Sequence, residues 1–144
     1  MKKLFIISIV AVFALSSCGK YDDGPAFSLA SKKSRVVNTW KIDKEFINGT
    51  EQTLTADDKD DYIEFKKDGN MTMTQVSGSV SSTTSGTWDF DSKKENLVIT
   101  FSYSYLGQTI TSTSTAKILR LKSNEMWVEE TENGNTVKYY YITK

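Results

Sequence analysis

From Trp40 onward the chain alternates apolar and polar residues with a period of two, and the alternation breaks at short turn-forming clusters. Period two belongs to a strand with one face in a core and the other in water. Leu97, Ile99, Phe101, Tyr103 and Tyr105 fall on one face of such a run, and Val98, Thr100, Ser102 and Ser104 on the other. Trp88 and Phe90 alternate with Thr87, Asp89 and Asp91, and Val137, Tyr139 and Tyr141 with Lys138, Tyr140 and Ile142. Lys67-Asp68-Gly69-Asn70, the stretch 91–96, Lys122-Ser123-Asn124 and Asn133-Gly134-Asn135 separate the runs, and Asp-Gly is a strong hairpin signal. The pattern predicts eight strands, at about 39–48, 61–67, 70–77, 84–91, 96–104, 109–121, 124–132 and 135–143. Every connection but the first is short, so successive strands are expected to be antiparallel neighbours.

The expected fold is therefore all-β: an eight-stranded antiparallel up-and-down β-barrel with a short N-terminal helix. A two-sheet β-sandwich is the alternative. Closing the sheet removes its edges, and eight strands leave an interior just wide enough for side chains or one small ligand. Ser28 is read as the cap of the short helix, which runs to Val37. The first connection contains Thr55-Ala56-Asp57-Asp58, a capping-box pattern with Asp in place of Glu, which predicts one helical turn. Ile118, Leu119 and Leu121 break strict alternation and predict a bulge. The Ser/Thr-rich stretches 77–87 and 109–115 read as a flexible loop and a strand with a polar face.

The N-terminus follows a different logic. Lys2 and Lys3 precede an apolar run from Leu4 to Leu15, and Leu15-Ser16-Ser17-Cys18 follows. That run makes a helix of roughly 18 Å, too short for a hydrocarbon core of roughly 30 Å. A basic start, a short apolar middle and small residues before a cut are the parts of a secretory signal peptide. The segment resembles the bacterial lipoprotein signal, whose terminal cysteine is acylated and becomes the first mature residue. The expected division is a cleaved signal peptide over 1–17, a lipidated polar tether over 18–29 and one barrel domain over 30–144. Asp22-Asp23 after Cys18 resembles an acidic export signal for the outer face of the outer membrane. The expected location is the cell envelope, with Cys18 lipid-anchoring the chain to the outer membrane, exposed at the surface.

Composition narrows the chemistry. The chain has no histidine and one cysteine, which excludes histidine bases, histidine metal sites and disulfides. With Cys18 carrying lipid, no thiol is left for catalysis. Loss of Lys2 and Lys3 from a chain with 18 basic and 18 acidic residues leaves a net charge of about −2. No basic stripe pairs with exposed aromatics, so no nucleic acid is expected as a partner. The acidic run Asp57-Asp58-Lys59-Asp60-Asp61 lacks the internal glycine of a calcium loop and carries a lysine, so it reads as a solvated helix start. Asp89 and Glu64 fall on outward faces. No metal, no cofactor and no catalytic residue is expected, and the chain is not expected to be an enzyme.

Three segments in order carry a family likeness: Asn38-Thr39-Trp40-Lys41-Ile42, the stretch 61–69 ending in Lys67-Asp68-Gly69, and Gly86-Thr87-Trp88-Asp89-Phe90. Leu119-Arg120-Leu121, Met126-Trp127-Val128-Glu129 and Tyr139-Tyr140-Tyr141 continue it. Together they resemble the lipocalin-like domain of bacterial surface lipoproteins, with Asn38 standing where narrow lipocalins have glycine. The resemblance implies a β-barrel and ligand binding. It also implies a closure in which Arg120 packs over Trp40 at the barrel's base, a cation–π contact of about 0.5–2 kcal/mol.

Trp40, Phe46, Phe65, Trp88, Phe90, Phe101, Tyr103, Tyr139 and Tyr141 fall on the expected inward faces. They either fill the core or line an apolar pocket, and Trp40, Trp88, Phe90, Phe101, Tyr103, Tyr139 and Tyr141 are the candidate ligand-binding set. The expected function is binding of a small apolar or amphipathic ligand by a membrane-anchored barrel. The alternative is a filled barrel that contacts another envelope protein or a surface polymer.

Overall fold

A computed structural model of the chain describes residues 30–105 and 108–144. The signal segment, Cys18, the tether and Ser28 lie outside the described residues. Nine strands and two short helices follow in the order α1 (Lys32–Val36), β1 (Thr39–Ile47), β2 (Thr50–Glu51), α2 (Ala56–Asp60), β3 (Tyr62–Phe65), β4 (Asn70–Ser77), β5 (Val80–Phe90), β6 (Asn96–Tyr105), β7 (Gln108–Leu121), β8 (Glu125–Glu132) and β9 (Asn135–Thr143). From β3 on, each strand pairs antiparallel with the next, and β1 pairs with β3. The last strand returns to the first, from Trp40↔Thr143 to Ile47↔Val137. That pairing closes an eight-stranded barrel and removes the sandwich alternative. The two-residue β2 is a hairpin on β1 alone, at the Phe46↔Glu51 end.

The apolar side chains gather at one end. Trp40, Phe65, Met71, Trp88, Leu97, Leu121 and Met126 are buried there, and Val36 of α1 joins them. Ser31, not Ser28, caps α1, its hydroxyl accepting from the Ser34 N–H. The Trp40 indole donates to the Val36 carbonyl at 2.8 Å, and the Trp88 indole to the Lys66 carbonyl at 2.9 Å. The two tryptophans thus tie α1 and the β3–β4 turn to the floor, each giving its one polar group a partner inside an apolar core. At the other end, Thr55 and Asp58 form the capping box of α2 as their spacing predicts.

Two bulges set which residues face inward. One lies between Ile118 and Arg120, where the run of apolar residues predicts it. The other, between Ile42 and Lys44, is not anticipated by the period-two reading. Ile42 opposes Tyr141, Lys44 opposes Tyr140 and Glu45 opposes Tyr139, so Asp43 is the extra residue. The shift turns Glu45 inward and Phe46 outward. The Phe46 ring sits 5.0 Å from Tyr140 on the outer face, a correction to its expected inward position.

Two seams open the barrel away from its floor. The β5–β6 ladder runs only from Phe90↔Leu97 to Gly86↔Phe101, and the β7–β8 ladder stops at Lys117↔Glu129. Beyond those points β5 pairs only with β4, and β7 only with β6. The upper halves therefore stand as two hairpin arms beside the continuous wall β8–β9–β1. The stretch 77–87 is mostly strand within the first arm, not a loop, with its turn at Gly78. Its residues 80–85 are exposed, as are residues 108–113 of the second arm. Neither stretch reaches the core, which explains why both are built from Ser and Thr. Gly86 marks where β5 leaves β6: a Cβ there would lie 2.7 Å from the Thr100 carbonyl oxygen and 3.0 Å from the Phe101 ring.

Candidate functional site

Between the apolar floor and α2 lies a cavity of about 320 Å³. Trp40 and Ile42 of β1, Ile63 of β3, Met73 of β4, and Tyr139 and Tyr141 of β9 form its apolar and aromatic part. Glu45, Asp58, Asp61 and Gln75 supply its polar part. The volume lies at the lower end of the range for small-molecule sites, and the mixture of apolar walls with a few placed polar groups is the usual makeup of one.

The polar groups differ in how far they are committed. The Asp58 carboxylate accepts from the Thr55 backbone N–H at 2.7 Å and from its hydroxyl at 2.6 Å, and these bonds hold its pKa below the ordinary carboxylate value. Asp61 accepts from the Val76 N–H at 2.6 Å. The Tyr139 hydroxyl donates to Glu132 at 3.2 Å. Burial, with the charges of Glu132 and Asp58 added, raises the pKa of Glu45. Burial also raises that of Glu130, the Glu132 charge adds to it, and a hydrogen bond from Ser114 opposes both. The phenols of Tyr139 and Tyr141 are pushed well above the ordinary tyrosine value, burial being the first cause in both and the carboxylates Glu45, Glu130 and Glu132 adding to it.

The structure divides the expected aromatic set. Trp40, Tyr139 and Tyr141 line the cavity, with the two tyrosine rings stacked at 6.0 Å. Trp88, Phe90 and Phe101 belong to the packed floor instead. Trp88 meets Phe65 edge-on at 5.4 Å and Phe90 at 5.7 Å. Tyr103 stands on the second arm, 53% exposed. The Arg120 guanidinium lies 4.5 Å from the centre of the Trp127 ring and its Nε donates to Glu125 at 2.8 Å. Trp127 faces outward and stacks on Tyr140 at 4.4 Å, so Arg120 covers a tryptophan of the outer wall. Trp40, its expected partner, is wholly buried on the floor.

Sequence reasoning missed Glu45, Gln75 and the contribution of α2. The adjacent apolar pair Phe46-Ile47 breaks alternation, as the run at 118–121 does, but it does not place the bulge at Asp43 that turns Glu45 inward.

A closed up-and-down β-barrel, sealed at one end and hollow at the other, defines a small barrel of the ligand-binding type. Residues 36–144 match the model of the lipocalin-like domain, and the chain belongs to that family. Among curated proteins, none matches the chain. The fold is typically non-enzymatic and fits ligand binding in general.

Proposed function

We propose that this chain is a lipid-anchored binding protein of the cell envelope, which holds a small apolar or amphipathic ligand in the open end of its barrel. The observation that carries the binding reading is the 320 Å³ cavity above a fully packed floor. A barrel whose large rings all served as core would have no such space. Native mass spectrometry of the full chain, released from nanodiscs in the spectrometer, tests it. A retained small molecule is the expected result, and a chain that stays empty after exposure to a total envelope lipid and metabolite extract would refute it.

The anchoring reading rests on Lys2, Lys3, the run Leu4–Leu15 and Cys18. Two or more acyl chains on Cys18 give stable attachment where one is marginal. Surface exposure rests on Asp22-Asp23. Cys18→Ala is expected to move the protein from the membrane to the soluble fraction and to abolish incorporation of radiolabelled fatty acid. Continued labelling of the variant would overturn the reading.

The second reading, an interaction module that contacts another envelope protein or a surface polymer, has one observation in its favour. Arg120, Trp127, Tyr140 and Phe46 form a continuous strip of stacked side chains on the outer wall. Crosslinking from intact cells that recovers one partner, and loses it on Trp127→Ala, would favour this reading over the first.

A further inference from the structure

The charge inside the mouth is one-sided. The residues that line the cavity include three carboxylates, Glu45, Asp58 and Asp61, and no lysine or arginine. Glu130 and Glu132 stand close enough to add to the field at Tyr139. Lysines of the same strands are drawn to the outside: Lys44 pairs with Glu51 at 3.5 Å and Lys138 with Glu129 at 3.4 Å. Asp58 and Asp61 are held by backbone N–H groups, as described above. Glu45 has no ion pair or side-chain hydrogen bond among the described residues, although it faces the cavity. The bulge at Asp43 is what puts it there.

A second group points the same way. Tyr141 packs on the core and lines the cavity, yet its hydroxyl makes no hydrogen bond among the described residues. That hydroxyl opens onto the cavity and is not sealed in the core, so a donor on a ligand there can reach it. An unpaired carboxylate and an unpaired phenol thus face one aromatic-walled space.

A group able to satisfy both is a hydrogen-bond donor with positive charge. We propose that the mouth selects an organic cation: an apolar or aromatic body seated on Ile63, Met73 and the Tyr139 ring, with a protonated amine directed to the Glu45 carboxylate and the Tyr141 hydroxyl oxygen. Aromatic faces beside a carboxylate are suited to such a group, since ring quadrupole and charge attract it together. A fatty acid or other anion would meet the same field as repulsion. This inference rests on the small-molecule reading above and adds the sign of the ligand's charge to it.

Three probes with one body separate the two levels: 2-(1-naphthyl)ethylamine, 2-(1-naphthyl)ethanol and 1-naphthylacetate. Each is titrated by equilibrium dialysis against the full chain in nanodiscs, with empty nanodiscs subtracted. The amine is expected to bind about tenfold tighter than the alcohol, and the acid weakest. Glu45→Gln is expected to remove most of the amine's advantage while circular dichroism confirms the fold, and the outward Asp43→Asn to leave all three affinities as they were. If the alcohol or the acid binds as tightly as the amine, the charge inference falls and small-molecule binding stands. If the amine's advantage survives Glu45→Gln, the assignment to this carboxylate falls. If none of the three binds above empty nanodiscs, the cavity reading falls with the inference.

Discussion

Replacing Trp40 by phenylalanine tests the bond that ties α1 to the floor of the barrel. Trp40 is completely buried, and its indole donates to the carbonyl of Val36, which is equally buried. Phenylalanine keeps an aromatic ring and removes the donor. The stranded Val36 carbonyl costs about 1–3 kcal/mol. The smaller ring adds roughly 1–2 kcal/mol for lost apolar burial and the void left behind. The expected loss is about 2–5 kcal/mol, a large share of the stability of a domain of roughly a hundred residues, and a fall in Tm of about 8–40 °C. Urea unfolding followed by far-UV circular dichroism measures it, with an unchanged denaturant slope showing that the unfolded state is the same. Trp127→Phe is the control, because that ring lies on the outer wall and its loss is expected to cost less than about 1 kcal/mol. Equal losses in the two variants, or a loss below about 1 kcal/mol for Trp40→Phe, would refute the view that this indole bond locks α1 over the barrel's base.

Gly86→Ala is expected to destabilise by about 1–3 kcal/mol, because the new Cβ meets the Thr100 carbonyl oxygen, which is backbone and cannot swing away; thermal unfolding reads this directly. Burial holds the pKa of Glu130 above its ordinary value of 4.5, so the folded state binds its proton more tightly than the unfolded state. Stability should therefore rise as the pH falls from neutral toward that value, and Glu130→Gln should raise Tm at neutral pH and flatten the dependence. Asp91 has the opposite sign: it accepts from the N–H groups of Asn96 and Glu95, which lower its pKa, so its stabilising bonds are lost only as the pH falls below the ordinary 3.8. Thr55→Ala removes one half of the α2 capping box and should cost about 1 kcal/mol, seen as faster amide exchange in the segment from Thr55 to Asp60.

The barrel was legible because its floor obeys the rule being read. Leu97, Ile99 and Phe101 alternate without interruption and pack where alternation puts them. The turns at Gly69 and Gly134 fall on the Asp-Gly and Asn-Gly signals, with positive φ at both glycines. Legibility failed where a strand has no apolar face and where a bulge shifts the count. Ser and Thr on the two arms have no buried face to report, so the first arm looked like a loop. Glu45 was hidden because period-two counting from Trp40 runs straight through Asp43. The cavity itself depends on α2, whose cap was visible but whose position over the mouth is a tertiary fact that short-range spacing does not contain.

The bulge at Asp43 also changes what can be compared between relatives. Trp40 and Ile42 reach the interior on one parity of the chain, and Glu45 reaches it on the other. A relative lacking Asp43 would still set its equivalents of Ile42 and Glu45 opposite Tyr141 and Tyr139. A relative with this same string of residues but a regular strand would expose the carboxylate and put the Phe46 ring in the mouth. The ligand preference of such barrels is thus stored partly in strand register, and two chains aligned residue for residue, with identical letters in β1, can present opposite chemistry to the molecule they bind.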